Sequence, residues 1–138
     1  MIVLTPETGE PPRIVLRSGG GSADTLLELE VVAEGVERVA DVAFELAFPV
    51  DLFRFERIEP GTFLGATVPT VSQVGNRLLV LLTGTTEASG SGVLVRLRFT
   101  AIDEGSGRFD FVAPEATRRD GSTIDEITWH GAGVRVVL

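Results

Sequence analysis

The sequence predicts an all-β protein, an antiparallel β-sandwich of eight or nine short strands. Three observations carry this. Period-two alternation of apolar and polar residues recurs in window after window, which is the spacing of a pleated strand with one face buried. Turn formers separate the windows, 16 Gly and 7 Pro in 138 residues. Evidence for helix is weak throughout, and only 114–127 has room for one short turn, with Asp120-Gly121 against it.

The most regular strand lies in 38–48. Ala40, Val42, Phe44, Leu46 and Phe48 share one face, and Asp41, Ala43, Glu45 and Ala47 the other. Pro49 cannot donate to a ladder, so the strand is expected to end or bend there. The apolar pattern restarts at Leu52, Phe53 and Phe55 and runs to Pro60-Gly61, read as a turn pair with Gly supplying a positive φ. Earlier strands are predicted at 13–17 and 25–32, where Leu27, Leu29 and Val31 alternate with Glu28 and Glu30. A hairpin of 67–73 and 77–83 is expected around Val74-Gly75-Asn76. Its second arm, RLLVLLT, is apolar on both faces. Such a strand is either covered on both sides or offers one side to a partner, and a loop such as 84–91 is the candidate cover. Further strands are expected at 93–102, with Arg96 and Arg98 outward, at 108–112 and at 134–138. Residues 1–12 read as a linker-like N-terminal segment rich in Pro and polar residues, leaving 13–138 as a single domain.

Composition narrows the function. An apolar fraction of 43% supports a sizeable core, and the absence of cysteine removes disulfides and thiol chemistry. A net charge of −8 argues against nucleic acid, because phosphate binding needs clustered cations. No run approaches the ~20 apolar residues of a membrane helix, so no membrane insertion is expected. Residues 1–4 are too short and uncharged for a signal peptide.

Catalysis has little footing. His130 is the only histidine and reads as a strand-end residue, and Asp103-Glu104 and Asp125-Glu126 read as loop carboxylates. Asp120, Ser122, Asp125 and Glu126 offer oxygens across one Gly-containing loop, but their spacing is not that of an EF-hand. No catalytic or metal-ligating residue is assigned. With a single Trp, no Tyr, and most of the 8 Phe on inward faces, a sugar-stacking platform is poorly supplied.

The order of these pieces resembles the cohesin domain, the receptor module of cellulosomal scaffold proteins. The strand corner reads Phe48-Pro49-Val50-Asp51-Leu52-Phe53, then Ile58-Glu59-Pro60-Gly61. It departs from the family pattern, with Phe for the usual Tyr and Pro one place early. Gly92-Val93-Leu94-Val95-Arg96-Leu97-Arg98-Phe99 resembles the family's Gly-x-Leu-x-x-x-x-Phe strand, and Gly131-Ala132-Gly133-Val134-Arg135-Val136 its closing strand. The resemblance covers 13–138 and implies a jelly-roll sandwich that is not an enzyme. It implies a protein partner, a helical dockerin or dockerin-like module, received on one flat sheet face built here from 39–47, 67–73, 77–83 and 112–118. No cofactor is implied on this chain, since the family's calcium belongs to the partner. The outward set on that face is Asp41, Ala43, Glu45, Ala47, Gln73, Arg77, Leu79, Leu81 and Thr83. An extracellular or envelope location within a longer protein goes with the resemblance. A carbohydrate-binding module and a structural spacer of a cell-surface protein remain alternatives, and an exposed apolar stripe would also suit a homodimer.

Overall fold

The computed structural model describes residues 1–65 and 67–138 and contains nine strands, with no helix among the described residues. They are β1 (Ile2–Pro6), β2 (Arg13–Ser18), β3 (Leu26–Ala47), β4 (Phe53–Pro60), β5 (Thr70–Val74), β6 (Arg77–Ala101), β7 (Gly105–Thr117), β8 (Thr128–Trp129) and β9 (Ala132–Val136). Two of them are long because each serves both layers of the sandwich. The first half of β3 pairs with β2 and with 92–100 of β6, and β4 closes that layer on the far side of β6. The second half of β3 pairs with 77–83 of β6 and with β7, and the layer continues through β9 to β1 on one side and β5 on the other. Register shifts in the β3–β6 ladder between Ala33 and Asp41 mark the passage from one layer to the other. Bulges and bends of this kind let one strand change sheets. All pairings are antiparallel except the short one of β2 with β8.

Alternation fills the space between the layers. Val42, Phe44 and Leu46 from β3 and Leu78, Val80 and Leu82 from β6 are all at most 3% exposed. From the opposite layer come Leu27, Leu29, Val31, Val95, Leu97 and Phe99. An aromatic cluster closes the corner end: the Phe99 ring lies 5.2 Å from Phe48, 5.6 Å from Phe55 and 5.3 Å from Phe109. A second cluster joins Phe44, Phe111 and Trp129, with Phe111 and Trp129 centroids 5.2 Å apart. Edge-to-face rings at these separations add attraction beyond the area they bury.

Several expectations need correction. Part of the stretch read as linker is a strand: Ile2–Pro6 pairs with β9, and Ile2 and Leu4 pack on the core. The alternation that places it is only five residues long and sits beside a Pro-rich run, which hides it. Gly61 does not take a positive φ. Pro60 is still in the ladder, opposite Val95, on a strand with one free edge where its missing N–H costs nothing. Gly61 is required instead by contact, since a Cβ there would lie 2.0 Å from the Val93 carbonyl oxygen. Finally, 84–91 is not a separate loop but part of β6.

Glu28 and Glu30, expected on a solvent face, are each 6% exposed. Arg96 and Arg98 lie across them from β6. Glu30 meets Arg17 at 2.7 Å and Arg96 at 2.9 Å, and Glu28 meets Arg98 at 2.8 Å. The glycine turn after β2 folds over Glu28, with Gly21 N–H donating to its carboxylate. Burial pushes the Glu30 carboxyl up, but the guanidiniums of Arg17 and Arg96 outweigh it and hold the group below the usual carboxylate range.

Candidate partner-binding face

Register decides which side chains share the outer face of the second layer, because directly opposed residues in an antiparallel pair point the same way. Asp41, Ala43, Glu45 and Ala47 on β3 oppose Thr83, Leu81, Leu79 and Arg77 on β6. The β5 residues opposite Leu81, Leu79 and Arg77 are Thr70, Ser72 and Val74. On the other flank, Thr117, Glu115, Val112 and Asp110 of β7 complete the rows. The face is therefore four strands wide, in the order β5, β6, β3, β7.

Eight of the nine residues assigned to this face from sequence lie on it. Gln73 does not. It opposes Leu78, which is fully buried, so its side chain leaves from the inner side of the sheet. At the hairpin end it reaches solvent and its Nε2 donates to the Gly75 carbonyl at 3.1 Å. The predicted hairpin arm 67–73 begins and ends later, at Thr70–Val74, and this shift moves the parity by one residue. Sequence reasoning missed Thr70, Ser72 and Val74 for that reason.

Down the middle runs an apolar stripe. Leu79 is 39% and Leu81 48% exposed, with Val74 at 63% at the hairpin end and the small Ala43 and Ala47 beside them. Residues 84–91 leave this stripe uncovered. Between β5 and β7 the surface dips into a shallow depression of about 380 Å³, lined by Ala43, Glu45, Thr70, Ser72, Leu79, Leu81 and Ala113 among others. Ala113 sits at a bulge in β7, where the ladder steps from Ala43–Glu115 to Glu45–Val112, and it holds a positive φ of 48°. A β-branched or bulky residue would not tolerate that backbone, and the bulge keeps this part of the floor low.

The rim is acidic. Asp41 accepts from Gly84 N–H at 3.3 Å, Glu115 accepts from Thr123 Oγ1 at 3.2 Å, and Asp110 pairs with Arg108 at 3.2 Å. Glu45 lies 3.5 Å from Arg77, the one cation in the rows. At the end of the face beyond Thr83, the Glu87 carboxylate accepts from Arg119 N–H and pairs with Arg38, and those bonds hold its carboxyl below the usual range.

Among the described residues, other chemistry finds no assembly. The His130 ring bonds Thr128 Oγ1 at 2.9 Å and has no carboxylate or serine partner among the described residues. Asp120 takes its hydrogen bonds from Ser122, and Glu126 from Arg118. Every Phe and the one Trp is buried or half-buried, so no ring platform for a sugar is exposed.

No family model matches the sequence, and no curated protein matches it. Solved structures do, and those described below are all cohesin modules. A non-cellulosomal cohesin from the archaeon Archaeoglobus fulgidus superposes with a TM-score of 0.73 over 98% of this chain and 91% of its own, at 18% identity. The cohesin module of a family 33 glycoside hydrolase from Clostridium perfringens gives 0.72 over 99% and 98%, at 14% identity. The third ScaC cohesin of Acetivibrio cellulolyticus, solved in complex with the ScaB dockerin, gives 0.71 over 85% and 92%, at 9% identity. The chain is thus a cohesin-like β-sandwich of nine strands.

Proposed function

We propose that the chain is a non-catalytic protein-interaction module which receives its partner on the outer face of β5, β6, β3 and β7. The uncovered Leu79–Leu81 stripe carries this reading. A dry apolar centre inside a polar rim is the anatomy of a protein interface, and the centre supplies most of its energy. Asp41, Glu45, Asp110 and Glu115 around it favour a partner whose apolar groups are ringed by cations. The solved complex of a neighbouring cohesin with a dockerin supports a dockerin-like partner. Any calcium then belongs to that partner, and the setting is a longer extracellular or envelope protein.

Replacing Leu79 or Leu81 by Glu tests the assignment. A carboxylate there desolvates against the partner without a counter-charge, a loss of about 2 kcal/mol or more, or roughly 30-fold in affinity. The fold is expected to survive, because both residues already face water. Pull-down and calorimetry with dockerin-like domains from the source organism should show loss of capture at unchanged thermal stability. Equal capture by wild type and both variants would refute the face.

A further inference from the structure

The open edge of β5 is built differently from the edges at β4 and β1. Among the described residues β5 pairs with β6 alone, so one row of its backbone groups has no partner. Its five residues, Thr70-Val71-Ser72-Gln73-Val74, carry no charge and no proline. The β4 edge is guarded by Arg54, Glu56, Arg57 and Glu59 and ends in Pro60, and charges and prolines are the usual defence of an edge. Uncharged β1 ends in Pro6 and lies against β2. The two ends of the β5 edge also expose valines, Val68 at 88% and Val74 at 63%.

The hairpin fixes which groups are free. Its loop is Gly75-Asn76, with the positive φ, 60°, on Gly75 alone, as a type II′ turn has it. In a two-residue hairpin the flanking pair, Val74 and Arg77, exchanges backbone hydrogen bonds, and the alternation repeats along the strand. Val74, Ser72 and Thr70 therefore bond β6, while N–H and C=O of Val71 and Gln73 point to the open edge.

We propose that this edge pairs with the β5 edge of a second copy of the chain, antiparallel about a two-fold axis at Ser72. In that register Val71 of each copy opposes Gln73 of the other, and both pairs are of the hydrogen-bonded kind, giving about four new backbone hydrogen bonds. Val74 opposes Thr70 of the mate and comes diagonally next to its exposed Val68. A chain of net charge −8 repels its own copy over most of its surface, and the uncharged β5 edge is where two copies meet without opposing carboxylates. Antiparallel pairing keeps opposed side chains on one side of the sheet, so both Leu79–Leu81 stripes open in the same direction. The dimer is then bivalent for anything that binds them.

Sedimentation of the whole chain over a concentration series tests this, together with cysteine variants in a protein that has no native thiol. Ser72 faces its own mate across the axis as a non-hydrogen-bonded pair, about 4.5 Å between Cα atoms. That lies inside the disulfide range of about 4.4–6.8 Å. Thr70 is four residues out of register with its mate, ~13 Å away. Under mild oxidation Ser72→Cys is expected to cross-link into dimers and Thr70→Cys is not. Gln73→Pro removes an edge-facing N–H, along with the exposed side-chain bond to the Gly75 carbonyl, and is expected to weaken self-association by about tenfold or more. Equal cross-linking of the two cysteine variants, or a wild-type dimer that Gln73→Pro leaves intact, would overturn the proposal. A monomer up to about 1 mM, a dissociation constant worth only ~4 kcal/mol, would also overturn it.

Discussion

Gly61→Ala separates a glycine needed for its backbone freedom from one needed for its missing side chain. The φ of Gly61 is not positive, so alanine suits its backbone conformation. The space does not accept it. The new Cβ would lie 2.0 Å from the Val93 carbonyl oxygen and 2.6 Å from the carbonyl carbon, where contacts under 3.0 Å are essentially never seen. Backbone at Val93 cannot rotate away as a side chain could, so the end of β4 must move off β6 by about 1 Å. Two hydrogen bonds hold that end, Gly61 N–H to Leu94 at 3.0 Å and Phe63 N–H to Val93 at 3.1 Å. Losing both costs about 2 kcal/mol, and loosened packing of Leu64, 2% exposed, adds up to about 2 more. The expected loss is about 2–4 kcal/mol, a large part of the 5–15 kcal/mol typical of a domain. It corresponds to a fall in Tm of roughly 8–15 °C at this chain length. Urea titration followed by far-UV circular dichroism and by Trp129 fluorescence measures it. Asparagine is the discriminating comparator. It tolerates positive φ and would rescue a turn glycine, whereas a steric clash makes Gly61→Asn at least as damaging as Gly61→Ala. Gly75, with a φ of 60° and nothing within 4 Å, is the internal control, where Asn should cost less than about 1 kcal/mol. A loss below about 1 kcal/mol for Gly61→Ala, or clear rescue by Asn, refutes the contact argument.

Glu30 has a folded pKa below its ordinary 4.5, so its pairing with Arg17 and Arg96 stabilises the fold above that value. That contribution is lost as pH falls through the lower folded pKa. Glu30→Gln is expected to cost about 1–2 kcal/mol at pH 7 and to flatten the decline in stability below pH 4.5, as chemical denaturation at stepped pH would show. Phe44→Ala removes a ring that is 3% exposed and packs on Phe111 and Trp129. About 3 kcal/mol of stability should go with it, with a red shift of Trp129 emission as water reaches the indole.

Legibility followed the length of the alternating pattern. The outer and inner faces of 40–48 could be read residue by residue, because nine alternating positions fix parity. The β5 arm, five residues long, could not be, and one residue of error at its end, 73 in place of Val74, put Gln73 on the wrong face. Glu28 and Glu30 were legible as outward but not as buried. Their burial comes from opposed charges meeting across β3 and β6 and from the glycine turn over Glu28, pairings far apart in the chain. Gly61 looks the same in sequence whether it serves φ or contact, and only the neighbouring backbone of β6 decides.

The altered corner can now be judged by what it touches. Phe48 is 2% exposed and stacks toward Phe99, so a phenol hydroxyl at this position would have to be satisfied inside the core. Phe avoids that requirement. Phe48 N–H donates to the Asn76 carbonyl at 2.9 Å, which ties the corner to the tip of the β5–β6 hairpin. Pro49 packs over Gly107 and its carbonyl accepts from both Leu52 and Phe53, which sets the turn into β4. The corner thus fixes the end of the face at Ala47, Arg77 and Val74, while Leu79 and Leu81 lie one and two rows farther along. The departures at Phe48 and Pro49 therefore bear on the fold and on the hairpin position, and they leave the chemistry of the apolar stripe unchanged. Restoring tyrosine with Phe48→Tyr should accordingly alter stability and not partner affinity. A change in capture without a change in Tm would show that the corner reaches the face directly.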